Sequence, residues 1–188
     1  MANKYWNTKI KKNFNNAAHS YSNYSFVQKH FANKLVTIIK ELEPQDGSWF
    51  DLGAGTGYLA DLLENNFMDI KVTRIDFSPN MLRENNKHSE TILWDLNIDL
   101  PPYIDNASLI ISSFCFHWLH KPEKKLKKWY ERLIPGGFLI VLFPNNDSFP
   151  EWKDTCKKCN IEYSALSLPC IKALKKENEI FLIKEFNY

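Results

Sequence analysis

The sequence predicts an α/β protein, an open, doubly wound and mainly parallel sheet with helices on both faces. Three observations predict it. Short runs rich in apolar and β-branched residues alternate with runs of helical period along the chain. The first junction from strand to helix packs three glycines into five positions, Gly53-Ala-Gly-Thr-Gly57. The chain's 188 residues, 44% of them hydrophobic, are enough for one core, and no repeat or low-complexity linker divides them.

The elements follow in order. From Tyr24 to Leu42, Phe31, Leu35, Ile38 and Leu42 recur at helical spacing, and Pro44 and Gly47 stop the helix. Ser48-Trp-Phe-Asp-Leu52 reads as a buried strand, and Tyr58 to Asn65 as the helix beyond the glycines. Ile70 to Asp76 is a second strand, and Ser78 caps a helix that has Pro79 in its first turn. Thr91 to Trp94, Ala107 to Ser113 and Gly137 to Phe143 supply further strands, with a helix from Pro122 to Leu133 before the last. Ser148 to Cys159 and Ile171 to Glu177 read as helices, and Glu179 to Tyr188 alternates like a final strand. The expected organisation is one domain over 1–188, with an N-terminal helical cap or lid at 1–46. A cofactor-binding core covers 47–147, and short helices and the last strand cover 148–188.

Charge narrows the partners. Lys and Arg total 24 against 22 Asp and Glu, so no global field commits the chain to nucleic acid or an anionic membrane. The N-terminus has no apolar signal core, and no apolar run approaches the length of a membrane span, so a cytoplasmic location is expected. Cys156-Lys-Lys-Cys159 has the spacing of half a zinc site without a second half, and reads as two thiols with no metal.

The glycine turn lies where open α/β sheets bring backbone close to a ligand. Its G-x-G-x-G spacing fits neither the G-x-G-x-x-G of a dinucleotide turn nor a P-loop. Asp51, beside the glycines, repels phosphate and welcomes a cation. Asp76 ends the next strand, where a carboxylate accepts from both hydroxyls of a ribose. Asp95, after the third strand, can accept from an exocyclic amine, and Leu96 can pack on a purine face. Asp76 also has an ordinary reading as a capping or surface aspartate, and Asp95 as a loop aspartate.

Taken together, Phe50-Asp-Leu-Gly-Ala-Gly-Thr-Gly-Tyr58, Val72-Thr-Arg-Ile-Asp-Phe-Ser-Pro-Asn-Met-Leu82 and Leu133-Ile-Pro-Gly-Gly-Phe-Leu139 resemble the ordered motifs of class I S-adenosylmethionine-dependent methyltransferases, over roughly Asn13 to Phe143. The resemblance implies the Rossmann-like fold of that class and a donor, S-adenosyl-L-methionine, that leaves as S-adenosyl-L-homocysteine. It implies that the glycine loop with Gly53, Ala54, Gly55 and Gly57 lies against the methionine part beside Asp51, that Asp76 holds the ribose, and that Phe77, Ser78 and Met81 belong to the same cofactor site. Asp95 and Leu96 fall to the adenine, with Ser113 at the end of the fourth strand. Ala54 stands where many members have cysteine.

Within that class the chain resembles the malonyl-[acyl carrier protein] O-methyltransferases of biotin synthesis, through Phe14-Asn-Asn-Ala-Ala-His-Ser-Tyr21, Ser112-Ser-Phe-Cys-Phe-His-Trp118 and Asn146-Asp-Ser-Phe-Pro-Glu-Trp152. These patterns are shared in part with quinone-pathway C-methyltransferases and trans-aconitate O-methyltransferase. The implied reaction is methyl transfer to a carboxylate, which needs no general base, so no catalytic residue is assigned. Candidate substrate-side residues are His19 and Tyr21, closing a lid, and His117 and Trp118, lining the pocket. Lys124, Lys125, Lys127 and Lys128 form a basic helix face where an acidic carrier protein could dock. The resembled enzymes continue into a helical insertion and a seventh strand that this chain is expected to lack. A homodimer through the final strand, another small-molecule acceptor such as a quinone precursor, and a non-catalytic partner subunit are the alternatives.

Overall fold

The computed structural model describes residues 2–162, 167–177 and 183–186. Two helices lead the chain, α1 (Ala2–Tyr24) and α2 (Phe26–Leu42), parted at Ser25. The helix expected from Tyr24 therefore starts at Phe26. Of its expected apolar stripe Phe31 and Leu35 are buried and Ile38 and Leu42 half-buried, and Ala32, Val36 and Ile39 complete the buried face.

Five strands follow, β1 (Ser48–Leu52), β2 (Val72–Asp76), β3 (Thr91–Leu93), β4 (Ala107–Ser113) and β5 (Leu133–Leu142), all parallel and in the order β3-β2-β1-β4-β5. The crossovers are α3 (Tyr58–Asn66) after β1, α4 (Pro79–Arg83) after β2 and α5 (Pro122–Tyr130) after β4, the last preceded by a 3-10 turn at Phe116–Trp118. Two further helices, α6 (Pro150–Lys158) and α7 (Ile171–Glu177), come after β5.

Alternation along β1 divides the core between the two faces of the sheet. Trp49 joins a cluster with α2 and α3 that includes Leu35, Ile39, Leu63, Val72, Leu109 and Ile111. Phe50 and Leu52 point the other way, to Ile75, Ile110, Phe116, Trp129 and Leu174. Both faces being buried is why these strands read as nearly continuous apolar runs.

Among the expected bounds, those of two neighbouring elements shift most. The strand expected from Gly137 begins at Leu133, because Leu133 pairs with Ala107 ahead of a register shift and Pro135-Gly136-Gly137 bends within the strand. A Cβ on Gly137 would meet the Ala107 carbonyl at 2.8 Å, so the close approach of β4 and β5 there requires glycine. The helix before it consequently ends at Tyr130 rather than Leu133. The strand expected over 179–188 lies largely outside the described residues, and residues 183–186 take no regular structure. Among the described residues no helix is long and apolar enough to cross a membrane.

Strand order reverses between β1 and β4, so the crossovers leaving their carboxyl ends diverge and open a crevice there. Every candidate acidic residue sits at that end of the sheet.

Candidate functional site

A cleft open to solvent lies beyond the carboxyl ends of the strands, about 1020 Å³ when the open solvent at its mouth is counted. Its floor is the glycine turn. Gly53 and Ala54 donate to the Ile75 carbonyl at 2.7 and 3.0 Å, which locks the turn to β2, and all three glycines have positive φ. A Cβ on Gly53 would strike Cys115, and one on Gly57 would strike the Asn85 side chain at 2.0 Å. At Gly55 a Cβ would meet nothing within 4 Å. Gly53 and Gly57 are thus needed by the protein's own packing, whereas the space over Gly55 is part of the cleft.

Behind the turn lies a buried polar network. Arg74, with no exposure, pairs with Asp61 at 2.8 Å and Glu64 at 2.9 Å and donates to Asn85 Oδ1. Asn85 in turn donates to the Gly55 and Met81 carbonyls at 2.9 and 3.0 Å. The glycine turn is held by α3, β2 and α4 together, through side chains that the glycine spacing alone does not reveal.

Three carboxylates face the cleft, each at the end of a strand. Asp76 accepts from Gly55 N at 3.0 Å and Ser78 N at 2.8 Å, yet burial outweighs these bonds and raises its pKa to about 6. Asp51 is 2% exposed and its Oδ2 has no partner among the described residues. Burial raises its pKa to about 7 against the opposing pull of Arg74, and Asp76 pushes it further up. Asp95 follows β3 with Leu96 and Asn97, and its Oδ1 accepts from Asn97 N at 2.9 Å. Lys29 is the one cation among the described residues lining the cleft, its ammonium donating to the Ser22 carbonyl at 2.7 Å and lying 5.2 Å from the Tyr58 ring centre.

The cover comes from α1. Ser78 Oγ donates to Asn15 Oδ1 at 2.6 Å, Asn80 donates to the Asn15 carbonyl, and the Ser22 and Thr56 hydroxyls meet at 3.2 Å across the mouth. Phe14 packs edge-on against Phe77 and Trp118, with ring centres 6.0 and 5.8 Å apart. Tyr21 lines the cleft beside Phe14, and burial, then the nearby Asp76 and Cys115, raises its pKa, which keeps the phenol protonated.

Of the residues singled out from sequence, Asp51, Gly53, Ala54, Gly55, Asp76, Phe77, Met81, Asp95, Leu96, Ser113, Tyr21 and Trp118 line this one cleft. Four do not. Gly57 backs the turn against Asn85, and Ser78 is fully buried, its hydroxyl capping α4 by accepting from Met81 N. His19 points to solvent, its side chain 98% exposed and 3.8 Å from Glu84, because the face of α1 that covers the cleft carries Phe14 and Tyr21 instead. His117 is turned away from the cleft into the protein, where burial lowers its pKa to about 4 and leaves it neutral. The basic face also changes. Lys124 and Lys127 are exposed and Lys128 pairs with Asp99, but Lys125 is buried and donates to the Asn97 and Ile98 carbonyls at 3.0 and 3.2 Å.

A parallel sheet reversing between β1 and β4, a G-x-G-x-G turn under the crevice and an acid at each of three strand ends define the class I methyltransferase fold. Residues 50–141 match the family described as methyltransferase domain. The chain is 36% identical over 169 residues to a malonyl-[acyl-carrier protein] O-methyltransferase of Neorickettsia risticii, covering 87% of this chain and 62% of that protein. It is 32% identical over 151 residues to a protein of the same name from Bacillus cereus, covering 77% and 55%. A solved S-adenosylmethionine-dependent methyltransferase from Thermotoga maritima, described as a possible histamine N-methyltransferase, superposes with a TM-score of 0.64 at 21% identity, covering 87% of this chain and 76% of that one. Over residues 50–141 the chain therefore matches a methyltransferase domain, in the fold it shares with that solved S-adenosylmethionine-dependent enzyme. It spans about half to three fifths of the length of these two curated relatives.

The cleft suits that class's cofactor. The unpartnered Asp51 oxygen can take a hydrogen-bond donor or a cation, the open space over Gly55 admits a ligand against the backbone, and Asp76 retains acceptor capacity for hydroxyls.

Proposed function

We propose that this chain methylates a carboxylate of a small acyl group, namely the free carboxylate of a malonyl thioester on an acyl carrier protein, acting in the cytoplasm. The observation that carries the donor half is Asp51, whose buried, unpartnered oxygen lies beside the glycine turn in a cleft with two further carboxylates and a single cation among the described residues. The names of the relatives support the acceptor half.

Bound S-adenosylmethionine would supply a methyl group activated by a sulfonium. Asp51 would pair with the donor's amino group and Asp76 with its ribose hydroxyls. Asp95 would accept from the adenine amine while Leu96 and Met81 pack on the ring. An acceptor carboxylate is ionised at neutral pH, so its oxygen attacks while the bond from methyl to sulfur breaks, and no proton moves. The protein's task is alignment and dryness. Phe14, Tyr21, Trp118 and Phe114 wall the reacting end, and the protonated Tyr21 hydroxyl can donate to the acceptor.

Lys124 and Lys127 on α5 are exposed and would be the basic residues that meet an acidic carrier protein, with further exposed lysines, Lys172, Lys175 and Lys176, on the helix packed against α5. Self-association would use the edge of β5, which pairs only with β4 among the described residues.

Calorimetric titration with S-adenosylhomocysteine, with NAD as control and Asp76→Ala in parallel, tests the donor site. Selective binding lost in the variant supports the reading, and equal or absent binding sinks it. Transfer of labelled methyl to malonyl carrier protein then tests the acceptor. Charge reversal at Lys124 and Lys127 should raise the KM for carrier protein and leave homocysteine-product affinity alone.

A further inference from the structure

Lys125 is out of place on a basic surface helix. It is 9% exposed, while Lys124 and Lys127 on either side of it in the helix stand in solvent. Burial is the main cause lowering its pKa, offset by Asp99 and then Asp95 and reinforced by Lys128. An ammonium taken out of water in this way is retained only if its donors are used. They are used on the backbone of the segment that follows β3.

That segment is otherwise held by the Trp94 indole, which donates to the Asp99 carbonyl at 2.8 Å, by the Trp94 amide on the Asp76 carbonyl at 2.9 Å, and by burial of Leu96 and Leu100, none of which fixes the Asn97 and Ile98 carbonyls. β3 is three residues long and is the edge of the sheet, paired on one side with β2. Its continuation, Asp95-Leu96-Asn97, forms one wall of the cleft without any strand beyond it among the described residues. Four bonds tie it to the α5 side of the molecule. Lys125 Nζ donates to the Asn97 carbonyl at 3.0 Å and to the Ile98 carbonyl at 3.2 Å, the His120 amide donates to Asn97 Oδ1 at 2.9 Å, and Lys128 pairs with Asp99. Within the segment, Asn97 N and Ile98 N both close back on Asp95, at 2.9 Å to Oδ1 and 3.0 Å to its carbonyl. The Asn97 and Ile98 residues whose carbonyls Lys125 grips are the same two whose amides orient Asp95. Moving that grip moves the carboxylate.

We infer that Lys125 is the positioning residue for the purine end of the cleft, its buried ammonium clamping the turn that aims Asp95 at an exocyclic amine and sets Leu96 against the ring. This rests on the donor reading above and adds to it a residue that touches no ligand and sits on the opposite side of the wall. It also removes Lys125 from the carrier-protein surface.

The test separates reading the amine from merely holding the fold. Wild type, Lys125→Met and, as a charge control, the exposed Lys40→Met are titrated with S-adenosylhomocysteine and with its inosine counterpart, which carries an oxygen in place of the exocyclic amine. Wild type and Lys40→Met should prefer the adenosyl ligand, because a site built to accept from an amine rejects the analogue lacking it. In Lys125→Met that preference should shrink about tenfold, mostly through weaker binding of the adenosyl compound. A lysine that only stabilises the fold would lower both affinities in proportion and keep the ratio, and that result overturns the inference. Should Lys125→Met not fold, Lys125→Arg is read the same way, since a planar fork cannot replace a compact ammonium between two carbonyls. If wild type binds neither ligand, the donor reading fails. If it binds both alike, the donor site stands and the assignment of Asp95, with the clamp, fails.

Discussion

The substitution Asp51→Asn should make the ligand-free protein more stable at alkaline pH while weakening donor binding. Asp51 is buried without a partner for Oδ2 among the described residues, and its pKa is raised from 3.8 to about 7. An unfolded chain would ionise it near its ordinary value, so the folded state holds a proton that the unfolded state has released. Stability contributed by this group is therefore intact below about pH 4, falls as pH rises from about 4 to 7, and stays low above that. At 1.36 kcal/mol per pKa unit, the change from 3.8 to about 7 is worth about 4 kcal/mol at pH 8. The amide that replaces the carboxyl needs a partner of its own, which takes back about 1 to 3 kcal/mol. A net gain of about 1 to 3 kcal/mol at pH 8 remains, several degrees of melting temperature for a chain of this size; it shrinks as pH falls, vanishes between about pH 4.5 and 6, and becomes a loss of about 1 to 3 kcal/mol below about pH 4. Asp76 titrates in both proteins, so the difference between their melts reports Asp51 together with its coupling to Asp76.

The same substitution removes the partner for the donor's amino group, and homocysteine-product affinity at pH 8 should fall about ten- to hundredfold. Wild-type affinity should itself drop about tenfold between pH 8 and pH 6, as Asp51 takes up its proton, while the variant changes only a few-fold through Asp76. Melts at pH 5 and pH 8 with parallel titrations read both effects. A variant less stable than wild type at pH 8, or one whose affinity keeps the wild-type pH slope, would refute the reasoning.

Other consequences follow from the same geometry. Asp76→Ala should weaken donor binding by about 1.5 to 3 kcal/mol for each lost ribose bond, and should also lower the melting temperature, since Asp76 holds the Gly55 and Ser78 amides. Gly55→Ala should cost only about 1 kcal/mol of stability through its positive φ but lose far more in donor affinity, because its methyl would enter the cleft. Gly57→Ala should do the reverse and unfold more readily, since its Cβ collides with Asn85; denaturant melts and titrations of the pair distinguish the two roles. His19→Ala should leave methyl transfer within about twofold of wild type, as expected of a surface substitution.

The strands were legible because burial on both faces leaves a chemical trace: β1 from Trp49 to Leu52 and β4 from Ala107 to Ile111 are buried on both sides of the pleat and mostly apolar, and the bounds read for both strands match the structure. β5 was not bounded correctly, since glycine and proline at 135–137 signal a turn locally. Only the register shift opposite Ala107 shows that they lie within a strand.

What the sequence determined by itself was the alternation of elements, the glycine turn and the three strand-end acids, because each depends on local backbone freedom or on spacing along one strand and its loop. Tertiary structure alone decided which side chains share the cleft. Phe14 and Tyr21 reach it and His19 does not, because the face that α1 presents is set by docking on α4 through Asn15. Lys125 turns inward and Lys124 outward for a related reason: adjacent lysines are alike as chemistry, and a carbonyl from a loop 28 residues earlier decides which ammonium is buried. Spacing can place an acid at the end of a strand, but whether its charge finds a partner depends on what the rest of the chain brings to it, and at Asp51 the described residues bring none to Oδ2.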